Sequence, residues 1–397
     1  MDRQFLDSLL AGMLASAEGV SDLLFLAGRP PLIEADGQLR EFQIDTPTKA
    51  LVPAHIKELA ILVINGDAKL EADFAKFGSC DCSYAVENLA RFRVNIFKQN
   101  GRHAIVMRKL AATIPTLEKL SLPPIFREIP KEKNGIVLLT GGTGTGKTTT
   151  LAAIINELNQ TQGVHIVTLE DPMEFLHRHG KAAISQRELG KDFSDFANGL
   201  RAALRQAPKV ILVGEIRDRE TMEVAMTAAE TGHLVFSSLH TINAGQTINR
   251  IIGMFGREEE PQIRQRLAET LRYVVSQRLV EAIGGGRLLV TEVMGSSMRT
   301  RETIVYGESE NKTFQEIIEA GSTLGWHSFD QCLFAAFELN RIAEATALTF
   351  SSNKNRMRRN LDIALKKQSA EGPSGLRLNP IATKPASPIG GVVVPSP

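Results

Sequence analysis

The residues best placed to do chemistry are Gly141, Gly142, Thr143, Gly144, Thr145, Gly146, Lys147 and Thr148, followed by Thr149. They fit G-x-x-x-x-G-K-[S/T], the spacing of a phosphate-binding loop. The glycines clear side chains away so that backbone N–H groups can close around phosphate oxygens. A helix starting at Lys147 would add unpaired N–H donors and positive potential. Lys147 suits the β and γ phosphates, and the Thr148 hydroxyl suits Mg²⁺. The chemistry this implies is binding and hydrolysis of ATP with Mg²⁺. The apolar run Ile136 to Leu139 leads in and the helix-forming stretch Lys147 to Gln160 leads out, which is the strand–loop–helix context the motif needs.

Two acidic sites follow apolar runs. Val210-Ile-Leu-Val213 is succeeded by Gly214-Glu215, at the carboxyl end of a strand, where open α/β sheets collect ligands. The aspartate usual at this place is absent, so Glu215 is expected to hold the water–Mg²⁺ network. The second site is Glu170-Asp171-Pro172-Met173-Glu174, where Pro172 ends the strand and turns the acids outward. One such turn is an ordinary structural feature; two beside a phosphate loop favour catalysis. Thr148, Glu215 and Asp171 are the expected metal ligands. The general base stays open among Glu170, Asp171, Glu174 and Glu215. His233 and His240 flank the run Leu234 to Leu239. They are expected as γ-phosphate sensors, against the commoner reading of satisfied core histidines.

Elements must position these groups. From Gly135 onward, Ile136 to Leu139, Val164 to Leu169, Val210 to Val213 and Leu234 to Ser238 are short apolar or β-branched runs. Such runs, separated by segments long enough for crossover helices, predict a doubly wound parallel sheet. Residues 1–110 read as a smaller α+β unit. It has a helix over Phe5 to Ala17, a strand over Asp22 to Ala27 and a hairpin about Asp36-Gly37. A meander follows over Cys80 to Val86, Ala90 to Lys98 and Arg102 to Lys109, turning at Asn100-Gly101. Residues 111–134, with Pro115, Pro123, Pro124 and Pro130, read as a linker packed on the surface. Residues 135–367 read as the ATPase domain with C-terminal helices. Residues 368–397 hold six of the 17 prolines and read as disordered. Lys354, Arg356, Arg358, Arg359 and Lys366-Lys367 read as a solvated helix face rather than a docking patch.

A chain of 397 residues suggests two domains and a tail. No apolar run reaches the ~18 residues a membrane-spanning helix requires. Met1-Asp2-Arg3-Gln4-Phe5 lacks the basic-then-apolar order of a secretion signal, so a cytoplasmic location is expected. Lys and Arg number 46 against 45 Asp and Glu, and aromatics make up 6%. That balance offers neither a basic groove nor a stacking platform, and argues against nucleic acid as partner. Three cysteines, Cys80, Cys82 and Cys332, read as reduced thiols, too few for a four-cysteine zinc cluster.

Five segments together resemble the PilT family of type IV pilus retraction motors, within the wider secretion ATPases. They are 141–150 (Walker A), 167–175 (aspartate box), 212–218 (Walker B), 231–241 (histidine box) and 90–95 (a strand of the N-terminal domain). The likeness spans about residues 18 to 345. It implies an α/β fold: a RecA-like P-loop ATPase domain with a smaller N-terminal PAS-like α+β domain. It also implies a homo-hexamer with ATP between subunits, working on an inner-membrane pilus platform protein at the cytoplasmic face of that membrane. Arginines matching the family's are Arg93 and Arg108 in the N-terminal domain and Arg201 and Arg205 before the Walker B strand. Phosphoryl transfer needs cations beyond Lys147 and Mg²⁺, and an arginine finger contributes roughly 10³ to 10⁵ in rate.

The function implied is an ATPase motor driving pilus retraction and twitching motility. The alternative is an accessory PilU-like subunit acting with a paralogous motor. Arg205-Gln-Ala-Pro208 and Glu220-Thr-Met-Glu223 look like PilU, whereas Leu239-His240-Thr241 and residues 325–333 look like PilT. The family's Ala-Ile-Arg-Asn-Leu-Ile-Arg-Glu stretch is little kept in residues 298–308.

Overall fold

The computed structural model describes residues 1–44, 49–111, 113–310 and 312–370. From residue 371 on, the proline-rich tail lies outside them.

Period-two patterning builds the first unit. After α1 (Arg3–Ala15) come β1 (Val20–Phe25), β2 (Leu32–Ala35), β3 (Gln38–Glu41), α2 (Pro53–Ile64), α3 (Ala68–Phe77), β4 (Ser79–Val86), β5 (Ala90–Gln99) and β6 (Arg102–Lys109). The strands form an antiparallel sheet in the order β3-β2-β1-β6-β5-β4. Both expected hairpin turns are present: Asp36 and Gly37 have φ of 53° and 75°, and Asn100 and Gly101 have 50° and 72°. Phe92, Val94 and Ile96 of β5 point into a core shared with Leu6, Leu10 and Met13 of α1 and Ile56 and Leu59 of α2. Alternate residues of a strand face opposite ways, so Arg91, Arg93 and Asn95 line the other face. Register extends that face into a row: Asp22, Arg108, Arg93 and Ser83 are successive cross-strand partners.

The second sheet begins at β7 (Gly135–Thr140), which runs through the phosphate loop into α4 (Lys147–Thr161). Then come β8 (His165–Glu170), β9 (Ala183–Glu188), α5 (Phe196–Ala203), β10 (Val210–Val213), α6 (Arg219–Glu230), β11 (Leu234–Leu239), α7 (Ala244–Ile252), α8 (Glu260–Thr270), β12 (Leu271–Glu281) and β13 (Arg287–Gly295). The order is β13-β12-β7-β11-β10-β8-β9. All pairings are parallel except the β12–β13 hairpin, which gives the sheet an antiparallel edge. Alternate residues of β7 feed two cores. Ile136 and Leu138 pack toward α6, α7 and α8, and Val137 and Leu139 pack toward α4. Helices therefore cover both faces, and every strand end bearing an acid emerges on one rim.

The chain finishes in α9 (Met298–Tyr306), α10 (Phe314–Ala320), α11 (Phe329–Glu338), α12 (Glu344–Phe350) and α13 (Lys354–Ala370). Two of the basic residues of α13 are paired, Arg356 with Glu319 at 2.7 Å and Arg358 with Glu344 at 3.1 Å. Among the described residues no helix is long and apolar enough to cross a membrane. Cys80, Cys82 and Cys332 are free thiols.

The segment 111–134 departs from the surface linker read in the sequence. Pro124–Arg127 and Ile129–Lys131 form 3₁₀ turns, and Leu117, Ile125, Phe126 and Ile129 are buried in the α4-side core. Proline fixes φ near the value such a turn needs, so the prolines shape a packed element rather than a solvent-exposed one. Phe126 is 0% exposed. Phe126→Ala should therefore lower unfolding stability by about 3–5 kcal/mol in denaturant titration, whereas a linker lying on the surface would register a few tenths.

Candidate active site

Backbone geometry makes the loop. Gly141 has φ of 148°, and a Cβ on it would sit 2.6 Å from Thr145 Oγ1 and 2.7 Å from the Gln277 carbonyl oxygen. Only glycine fits. Gly144 and Gly146 have φ of 77° and 88°, and Thr145 Oγ1 donates to the Gly142 carbonyl at 2.9 Å. Helix α4 starts from Gly146 with no side chain accepting its first N–H groups, so those donors are left for an anion. Lys147 is 7% exposed, and its Nζ donates to the carbonyls of Gly141 and Gly142, both at 2.8 Å. Burial pushes its pKa down, and the nearby Glu215 opposes that shift.

The carboxylates divide their tasks. Gly214 bonds through its N–H to the Leu169 carbonyl at 2.8 Å, and a Cβ there would lie 3.2 Å from that oxygen. Crowding by β8 thus explains why the acid stands one residue later. Glu215 is gripped on one oxygen by Arg217 and approached on the other by His240 Nε2 at 3.4 Å. Glu174 lies near the loop: burial raises its pKa, and Arg93, Arg108 and the neighbouring Thr148 hydroxyl pull it down. Asp171, expected on the metal with Thr148, lies in the field of Arg217, Arg93 and Glu215; burial raises its pKa, the arginines pull it down and Glu215 adds to the rise. Glu170 is held by hydrogen bonds within its own sheet. It is 8% exposed and accepts bonds from Thr168 Oγ1 at 2.6 Å and Gln186 Nε2 at 3.0 Å. Alternation along β8 puts it on the same face as Thr168.

The arginine row of the first sheet overlies the acidic turn. Arg91 donates to the Met173 carbonyl at 3.0 Å, Arg108 bonds Asp22 at 2.8 Å, and Lys191, beyond β9, bonds Ser83. Arg201, on α5, and Arg205, in the turn that follows it, are exposed. Arg201 pairs with Glu220 at 2.7 Å and Arg205 contacts the Arg201 carbonyl at 3.3 Å, partners outside the phosphate loop. His233 is not brought to the site. Parallel register pairs Gly135 with Leu234 and Thr140 with Leu239, which puts His233 at the other end of β11, about 20 Å away. Its ring contacts the Ala228 carbonyl at 3.0 Å.

Sequence reading gave no role to Arg91, Arg217 or Gln277. Arg91 stands two residues before Arg93 and shares its face by period two. Gln277 comes from a distant strand and left no local signal.

These residues fit a magnesium-bound triphosphate. The loop is a cradle that a Cβ would fill, and α4 offers uncapped N–H donors. Mg²⁺ keeps several waters and takes one or two protein oxygens beside phosphates, a demand that Thr148 with Glu174 and Glu215 nearby can meet.

Fold and site together define a RecA-like P-loop ATPase. The family model described as "Type II/IV secretion system protein" matches residues 81–342, and the chain belongs to that family, among its PilT/PilU-type ATPases. It is 41% identical over 322 residues to the Pseudomonas aeruginosa protein described as "Type IV pilus retractation ATPase PilT", covering 80% of this chain and 90% of that protein. It is 36% identical over 342 residues to "Type IV pilus ATPase PilU" of the same organism, covering 86% and 87%. The crystal structure of "the Pilus Retraction Motor PilT and Bound ADP" superposes with a TM-score of 0.79 at 36% identity, covering 90% of this chain and 99% of that one.

Gly141→Ala should weaken binding of a fluorescent ATP analogue by about tenfold or more while leaving the circular dichroism spectrum unchanged. Undiminished affinity would contradict the cradle.

Proposed function

We propose that this chain works as a ring-forming motor that hydrolyses ATP to drive type IV pilus retraction, and with it twitching motility. The observation that carries the reading is the stacking of three layers. The turn bearing Glu174 is held to the first sheet by Arg91 at the Met173 carbonyl, and the Glu174 carboxyl lies in the field of Arg93 and Arg108 with the Thr148 hydroxyl nearby. A change at the phosphate loop is thereby coupled to the position of the first sheet.

The roles follow from chemistry. Lys147 leaves the Gly141 and Gly142 carbonyls to neutralise phosphate charge. Glu215, oriented by Arg217 and His240, takes the proton of the attacking water. Glu174 and Thr148, with Glu215, would hold Mg²⁺, which when bound would supply neutralisation of phosphate charge. Arg93 and Arg108 stand where closure of the first sheet would deliver them to developing negative charge. Arg201 and Arg205, exposed on and just after α5, are suited to reach a neighbouring protomer's nucleotide. The assembly in this reading is a homo-hexamer at the cytoplasmic face of the inner membrane, acting on a platform protein that removes pilin subunits.

A second reading rests on the 36% identity to PilU and on α9, which departs from the family stretch and exposes Met298 and Tyr306 at 80% and 84%. In it the chain is an accessory subunit acting with a paralogous motor.

Glu215→Gln should bind ATP as wild type does and lose turnover by about 10² or more; full turnover in that variant removes Glu215 from the mechanism. Turnover per subunit should rise steeply with protein concentration, since completing the site needs a neighbour. Activity that stays negligible in the assembled ring until the paralogue is added selects the accessory reading. A deletion strain should carry surplus pili that fail to retract; normal retraction would exclude the motor role.

A further inference from the structure

A buried carboxylate outside the phosphate site ties that site to the loop carrying His240. Glu292 on β13 is 7% exposed. Burying a carboxylate is costly unless it is paired, so its partners show what it holds. Its Oε1 accepts the N–H of Ala244 at 2.9 Å. Ala244 is the first residue of α7, where N–H groups lack intrahelical acceptors and the helix field favours an anion. The same oxygen lies 3.5 Å from Ser276 Oγ, which receives a hydrogen bond from Thr140 Oγ1 at 3.0 Å. Register makes this more than proximity. Glu292 is the cross-strand partner of Ser276, Ser276 of Thr140, and Thr140 of Leu239. One row of residues thus runs across β13, β12, β7 and β11 directly beneath Gly141.

Four residues, His240 to Asn243, join β11 to α7. Leu239 before them belongs to that row, and Ala244 after them is held by Glu292 at the far end of it. Within the span, Thr241 and Thr247 hydroxyls bond at 2.7 Å, and Asn243 caps Gln246. The His240 loop is therefore pinned at one end to β7, the strand that launches the phosphate loop, through Leu239, and at the other to Glu292 of β13, two members of one row. Around the carboxylate, burial raises its pKa, the Ala244 N–H and Arg278 oppose that shift, and Asp330 adds to it.

We infer that Glu292 is a positioning residue of the ATPase reaction: by fixing the start of α7 it holds His240 against Glu215. The inference rests on the role of Glu215 given above. A β13 carboxylate acting as a remote cap on α7 keeps the spacing between phosphate loop and water-activating acid constant while other parts of the site move. Glutamine preserves the acceptor oxygen at this place; alanine removes it.

Full-length wild type, Glu292→Ala, Glu292→Gln, His240→Ala and the Glu292→Ala/His240→Ala double variant are compared in steady-state ATP hydrolysis. Loss of the acceptor should lower kcat about tenfold with KM for ATP within about twofold, and Glu292→Gln should stay within about twofold of wild type. In the His240→Ala background the alanine change should cost no more than about twofold, because two residues acting through one contact are not additive. Amide hydrogen exchange over residues 241–247 should quicken in Glu292→Ala and not in Glu292→Gln, a readout that holds whether or not the chain turns over. Loss of turnover in Glu215→Gln tests the underlying site reading separately. Wild-type kcat in Glu292→Ala, a loss fully additive with His240→Ala, or equal damage in Glu292→Gln would overturn the inference. If the alanine variant does not fold, Ser276→Ala, which cuts the same row, should lower kcat non-additively with His240→Ala; full additivity overturns it as well.

Discussion

Lys147 is a cation taken out of water and set on two backbone carbonyls. In that position it carries the constraint on which the rest of the structure depends. A buried ammonium needs compensation, and the carbonyls of Gly141 and Gly142 supply only dipoles. The N–H donors of α4 point into the same space without side-chain acceptors. A triphosphate is the species whose charge and oxygens satisfy both. The folding of the glycine loop, the crowding that forbids a side chain at Gly141, and the buried floor of β12 serve to keep that pair of demands in one place.

Around it the charges come from two sheets. The ATPase sheet contributes Glu215, Asp171 and Glu174 from strand ends that emerge on one rim. The smaller sheet contributes Arg91, Arg93 and Arg108 from a face that its own core does not use. Each set is paired in part within its own sheet, Arg108 with Asp22 and Glu215 with Arg217, and the remainder meets across the seam. Burial raises the pKa of Asp171 and Glu174, and Arg93 opposes both shifts, while Arg91 ties the same turn to the smaller sheet at the Met173 carbonyl. An electrostatic seam of this kind is strong when dry and weakens as it opens to solvent, which suits a contact that must be made and broken in a working cycle.

The sequence was most legible where one residue type has one physical use. The phosphate loop, the four central strands and both glycine hairpin turns could be read directly. Strands β9 and β12 could not, because Gln186, Arg187, Ser276, Gln277 and Arg278 interrupt the apolar runs that mark buried strands; their polar groups are spent on Glu170, Thr150 and Phe350 instead. The two histidines of β11 look equivalent in sequence, yet a parallel sheet presents ligands at one rim only, and only His240 is on it. Among the acids, period two separates Glu170, folded into the sheet, from the turn beyond it. Proline, read as the mark of a surface linker, shaped two buried 3₁₀ turns. The contact of Arg91 with the Met173 carbonyl had no local signature, since it depends on how the turn after β8 meets the first sheet.

The central claim is that Lys147 and the amides around it grip a triphosphate. The most direct test is calorimetric titration of Mg·ATP into wild type and Lys147→Ala at matched salt. The account predicts saturable binding to wild type and a loss of about a hundredfold or more in the variant, since a buried charge-assisted contact is removed from every phosphate it reaches. Equal affinity in the two proteins, or no heat of binding in wild type, would contradict it.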